Sequence, residues 1–284
     1  GTIANAEIFF IVPTIIALWL IYPTKADIEK YQPSNKATFL SGVFLSLAFL
    51  FKIHVALDVL AIGLYFFVFP YLIHKRFVTL IFKNLKMWIF ASGLFLPLLI
   101  TLVIFLLQGV TPQDLFLNAS GSTNYVSTWN GSAEIIAQTI GFGSLQSRAI
   151  LLLILTTLLF FAQRFFSRQA TFFSLWTIYT LFAALLSARP YPHYLIQIVL
   201  PLVISIGLLF QQKKAFNKAI LSFVLLLVIT AFIRFDFSFW SVGSYYKNFI
   251  LYSTGRINTY EYYRRFDSRM PRNYELASYI RQIS

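Results

Sequence analysis

The chain has 284 residues, of which 58% are hydrophobic and 12% charged, and its mean hydropathy is +0.72. One water-soluble core cannot bury that much apolar surface, so the composition excludes an ordinary soluble globular domain and points to lipid as the main solvent. The net charge of +13 is spread in short clusters between apolar runs, which argues against nucleic acid as a partner, and the lack of cysteine excludes disulfides, thiolate metal sites and a thiol nucleophile.

The sequence enters an apolar run at once, with Asn5 and Glu7 near its start and without the basic start and cleavage site of a signal peptide. It reads as beginning inside a longer protein. Measured against the roughly 20 residues that a helix needs to cross a bilayer, runs with at most one charge predict eight spans, several of them short. Their cores lie at 3–21, 37–51, 55–73, 87–107, 149–162, 170–187, 195–210 and 219–233. Runs of this length favour helices over barrel strands, which alternate polar and apolar residues. The expected fold class is therefore all-α: a polytopic transmembrane helical bundle over 1–233 and an extracytoplasmic interfacial tail over 234–284.

Alternate connections differ in basic content. The set 22–36, 74–86, 163–169 and 211–218 holds 12 Lys and Arg, and the set 52–54, 108–148 and 188–194 holds 3. Retention of positive charge marks the first set as cytoplasmic, which places the second set and the tail on the outer face. The outer segment 108–148 is long for a bare connector and rich in Ser, Thr, Asn and Gly. Its acceptor patterns for N-glycosylation at Asn118 and Asn130 are near chance in such a composition. In the tail, tyrosines alternate with arginines, as suits a segment at the level of lipid headgroups. From Asn273 a polar cap and an acid in the first turn predict a helix that the chain end cuts short.

Ionisable groups inside or beside membrane spans are costly and mark candidate sites. Glu7 and Asn5 fall at the outer start of the first span, Lys52 and His54 at the outer turn after the second, and Asp58 one helical turn beyond His54. Arg189, His193 and Tyr194 occupy the outer turn between the sixth and seventh spans. All converge on one face. Lys52 as a point charge, Arg189 as a planar fork and the two histidines suit an anionic headgroup, a phosphate above all. Glu7 and Asp58 suit positioning of those cations or hydrogen bonds to sugar hydroxyls. Taken singly each has a structural explanation: Lys52 as a snorkelling anchor, Arg189 as a headgroup contact, His193 as a partner for carbonyls freed by Pro190 and Pro192, Glu7 as a helix-dipole complement. The histidines with the carboxylates leave a divalent metal open as a cofactor, although no HExxH-like spacing is present.

Four stretches carry a resemblance: Ala4-Asn5-Ala6-Glu7; Leu40 to Lys52, ending Leu-Ala-Phe-Leu-Phe-Lys; Arg189-Pro-Tyr-Pro-His193-Tyr194 followed by Pro201; and the tail segments Asn248 to Arg256 and Tyr260 to Phe266. Together they resemble the bacterial branch of the dolichyl-phosphate-mannose protein mannosyltransferase and aminoarabinose transferase superfamily, of the GT-C fold. The resemblance implies a multi-pass protein of the bacterial inner membrane. It implies transfer of a sugar from a polyprenyl-phosphate carrier to a glycan, lipid or protein acceptor at the extracytoplasmic face, by inverting displacement. Lys52 matches a carrier-phosphate lysine, and Arg189, His193 and Tyr194 match a second carrier-binding turn. The family's catalytic acid lies in an external loop expected upstream of Gly1, so no catalytic residue is assigned and this stretch alone is expected to be inactive.

Other functions fit the same composition. A transporter or flippase for lipid-linked saccharides would place its binding groups near the midplane, whereas these charges lie at one edge. A ligand-free structural subunit would tolerate change at Lys52, Arg189 and His193. Polymerases and ligases of surface polysaccharides use the same carriers and would suit the long outer loop.

Overall fold

Short polar side chains set where helices begin. Ser34, Asn84, Ser144, Ser167 and Asn258 each accept a hydrogen bond from the backbone N–H three residues on, at 2.8–3.2 Å, which satisfies an amide that the first helical turn leaves unpaired. The computed structural model describes residues 6–22, 33–70, 84–111, 113–114, 144–186, 192–235, 237 and 242–283. Among them the ordered elements are helices, with no strand. In chain order they are α1 (Ala6–Ile21), α2 (Asn35–Phe51), α3 (Ala56–Gly63), α4 (Leu85–Leu107), α5 (Leu145–Ala162), α6 (Arg168–Leu185), α7 (Ile196–Gln211), α8 (Ala215–Arg234), α9 (Val242–Ser253), α10 (Thr259–Phe266) and α11 (Met270–Ile283). A 3₁₀ turn, Ile53–Val55, leads into α3, and a π turn, Leu64–Val68, continues it. The chain divides into a bundle, Gly1–Phe237, and a second unit, Ser238–Ser284.

Four stretches are long and apolar enough to cross a membrane: Leu85–Leu107, Leu145–Phe165, His193–Gln211 and Ala215–Arg234. Only 17% of the apolar window of each of the first two is buried, and 33% and 28% of the others. Phe95, Leu107, Phe161, Phe210 and Ile233 all point outward. Such continuous apolar exposure is untenable in water and ordinary in a bilayer. The expected runs at 3–21, 37–51 and 55–73 appear among the described residues as shorter apolar helices, Ile8–Ile21, Asn35–Phe51 and Ile53–Val68.

The expected run at 170–187 became the bundle's central helix. α6 has 14 of its 18 residues buried, on every side. Its threonines are satisfied locally, Thr171, Thr177 and Thr180 donating to carbonyls one turn back, and the Tyr179 hydroxyl accepts from Thr156 of α5. Trp176, Phe172 and Phe173 form its aromatic rib. α2 and α4 touch backbone to backbone. A Cβ on Gly42 would strike the Phe90 carbonyl oxygen and lie 2.9 Å from the Leu94 nitrogen, and one on Gly93 would strike the Phe39 carbonyl oxygen. Small residues at such a crossing let helices approach closely where lipid provides no hydrophobic drive between them.

Long-range hydrogen bonds mark one end of the bundle. There Lys86 Nζ donates to Pro33 O and Asn35 Oδ1, Asn84 to Phe67 O, the Tyr65 hydroxyl to Arg168 O, and Ser167 N to Asn217 Oδ1. The opposite end carries the turns after α2 and before α7.

In the second unit α10 is tied to both neighbours by aromatic stacking, with Tyr262 on Tyr252 of α9 at 4.5 Å and Tyr263 on Tyr274 of α11 at 4.6 Å between ring centroids. The last helix starts three residues before the expected Asn273. Asp267 accepts from the Arg269 amide through its side chain and from the Met270 amide through its carbonyl, so Asn273 lies inside the first turn.

Candidate functional site

Two turns build the site. α2 stops at Phe51 because Lys52 takes an extended conformation, φ −158° and ψ 126°, and the 3₁₀ turn that follows reverses the chain into α3. On the other side, α6 ends at Leu185, and a 3₁₀ turn, Pro192–Leu195, leads into α7. These turns meet at Tyr194. Lys52 Nζ lies over its ring, 4.3 Å from the centroid, a cation–π contact. The His54 ring stacks on it at 5.9 Å with 25° between planes, and the His193 ring meets it edge-on at 4.5 Å. His54 is buried, while Lys52, His193 and Tyr194 are half-buried.

One turn deeper a second layer holds the two turns in register. Asp58 on α3, 1% exposed, accepts from Trp176 Nε1 of α6 at 2.6 Å through one oxygen and from Gln197 Nε2 of α7 at 2.5 Å through the other. Gln197 also donates to the His54 carbonyl at 3.2 Å. Three helices are thereby tied to the backbone that carries the Lys52 turn. Nearby helix ends are joined by Arg148, 4% exposed, which donates through Nε to Ser144 O at 3.2 Å and through its guanidinium to the Leu185 carbonyl at the end of α6.

Lys52 lies between the helices, and its burial there pushes its pKa down to about 8. A partly desolvated ammonium beside two imidazoles and a phenol can receive an anion: the lysine supplies charge, and ring N–H and hydroxyl groups supply hydrogen bonds. Among the described residues no three His, Asp or Glu side chains are placed to hold a metal ion.

The structure thus brings together two pairs, Lys52 with His54 and His193 with Tyr194, which the sequence places more than a hundred residues apart. It sets Asp58 inward, with both oxygens engaged by Trp176 and Gln197. Glu7 lies on α1, but its side chain is outside the described residues, as are Asn5, Arg189, Asn118 and Asn130. Three residues escaped the sequence reading. Gln197 had a signal, being an amide inside an apolar run one turn after His193. Arg148 counted only as a loop charge, and Trp176 looked like any other aromatic of an apolar helix. No protein-family model, curated protein or solved structure matches the chain.

Proposed function

We propose that this chain belongs to a multi-pass membrane glycosyltransferase of the GT-C type, with eight spans. It takes a sugar from a polyprenyl-phosphate carrier and passes it to an acceptor at the extracytoplasmic face of a bacterial inner membrane. The observation that carries the reading is the convergence of Lys52, His54 and His193 on Tyr194 at one end of an apolar bundle. A lipid phosphate reaches a protein at the edge of the bilayer, and a half-buried lysine with imidazole donors is suited to that charge. As the bond from the anomeric carbon to the phosphate oxygen breaks, negative charge grows on the leaving phosphate. Lys52 and the two imidazoles stabilise it; the resemblance assigns Arg189 to the same carrier. The resemblance of the stretches Leu40 to Lys52 and Arg189 to Tyr194 supports the same assignment. The carboxylate that takes the acceptor's proton is assigned to no residue of this chain.

The test uses the intact gene product in lipid nanodiscs, with undecaprenyl phosphate as the probe. Lys52→Ala is expected to weaken binding about tenfold or more and Lys52→Arg to retain most of it. Unchanged affinity in both Lys52→Ala and His193→Ala removes the phosphate site. Carrier binding accompanied by movement of the lipid-linked sugar across the bilayer, without its transfer, would replace the transferase by a transporter.

A further inference from the structure

The second unit presents two apolar stripes that its own packing leaves uncovered. On α11, Leu276, Tyr279 and Ile280 recur at helical spacing and are 57%, 60% and 51% exposed. Tyr274, which is stacked on α10, lies on the opposite side of the helix. α9 repeats the arrangement. Tyr246, Phe249 and Ile250 are 57%, 50% and 57% exposed, while Asn248 and Tyr252, on the other side, meet Arg265 and Tyr262 of α10. The side chains that hold the three helices together are thus directed at α10, and the apolar ones are turned away from it.

The charge of this unit says what fits those stripes. Residues 238–284 contain seven Lys and Arg and three acids. Arg269 is 84% exposed at its side chain and Arg264 58%, although each meets an acid. Arg272 is exposed one turn before Leu276, on the stripe itself. Exposed aliphatic and tyrosine side chains flanked by arginine are the composition of helices that lie in a bilayer interface, apolar face among the acyl chains and cations among the phosphates.

We infer that the second unit is a membrane-surface module whose α9 and α11 stripes insert into the headgroup layer of a bilayer containing anionic phospholipid. The attraction combines burial of the stripes with the pull of anionic lipid on the arginines, so it depends on lipid charge and on ionic strength.

The natural chain has no cysteine, so one introduced thiol gives one labelled position. Phe249→Cys and Leu276→Cys report on the two stripes, and Ser278→Cys, exposed on another side of α11, serves as the aqueous reference. Each variant of the whole protein is labelled with a polarity-sensitive fluorophore and placed in nanodiscs of phosphatidylcholine alone or with phosphatidylglycerol. With phosphatidylglycerol, the stripe labels are expected to shift to the blue and to be quenched by headgroup-proximal nitroxide lipid. High salt is expected to reverse part of that effect, and Ser278→Cys to stay open to iodide. Stripe labels quenched by iodide in both lipids overturn the inference. Labels shielded from both quenchers overturn it too, because a protein surface then covers the stripes.

Discussion

Replacing Asp58 by leucine removes the acceptor of two interhelical hydrogen bonds, from Trp176 Nε1 at 2.6 Å and Gln197 Nε2 at 2.5 Å. In a membrane protein such bonds contribute about 0.6 kcal/mol each on average and up to about 1.7, because the separated helices find other partners. Two of them amount to about 1–3 kcal/mol, and the indole N–H left buried costs about 1–3 kcal/mol more. Gln197 still reaches the His54 carbonyl, so its amide is not wholly orphaned. Asp58→Leu is therefore expected to destabilise by about 2–5 kcal/mol. Asp58→Asn should cost about half as much, since its amide offers one acceptor where two donors converge, and turning Gln197 to match it gives up the bond to His54. The assay is unfolding in detergent by heat or SDS, with a double-mutant cycle between Asp58→Asn and Gln197→Leu. A coupling energy near zero, with both single variants as stable as the parent, would refute the claim that this carboxyl ties α3, α6 and α7 together.

Gly93→Val should separate α2 from α4, because its Cβ meets the Phe39 backbone; a loss of about 1–3 kcal/mol is expected, and Gly207→Ala, which meets nothing, should be neutral in the same detergent melt. Arg148→Met keeps the volume but not the donors to Ser144 O and Leu185 O, and a loss of about 1.5–3 kcal/mol is expected by SDS unfolding. The lowered pKa of Lys52 makes phosphate binding depend on pH: bound anion favours the charged lysine, so affinity should fall toward tenfold per unit as pH rises above about 8, where the phosphate is already fully ionised. Titration of undecaprenyl phosphate binding at several pH values checks this, and Lys52→Arg, which keeps its charge, should lose the slope; equal slopes in both proteins count against Lys52.

Much of the bundle was legible because lipid makes simple demands. Long apolar runs bounded by basic clusters read directly as the helices Leu85–Leu107, Leu145–Phe165, His193–Gln211 and Ala215–Arg234. Which faces meet was not legible, because an apolar helix in lipid carries no stripe to separate core from solvent. The contact of Gly42 with α4 shows this: glycine in an apolar run signals a close approach but not its partner. At the site, charge carried the information. Lys52, His54 and His193 stood out as ionisable groups in an apolar chain, and they share one ring. Trp176 and Arg148 did not, since their roles rest on carbonyls and a carboxyl supplied by distant elements. The expected helix start at Asn273 failed for a smaller reason: the turn that Asp267 closes on the Arg269 and Met270 amides starts the helix earlier in the chain.

The hydroxyl-rich character of α6 has a consequence for how the protein is made. A helix with three threonines, a serine, a tryptophan and a tyrosine among its 18 residues gains less from hydrocarbon than its neighbours do, and it falls outside the stretches apolar enough to cross on composition. On the ribosome it emerges before α7 and α8, whose side chains later enclose it and complete its hydrogen bonds, as between Ser205 and Thr177. In the proposed eight-span arrangement its retention in the membrane is then a property of the assembling group rather than of the segment, and the insertion machinery must hold it until roughly the next 20 residues, one further span, have followed.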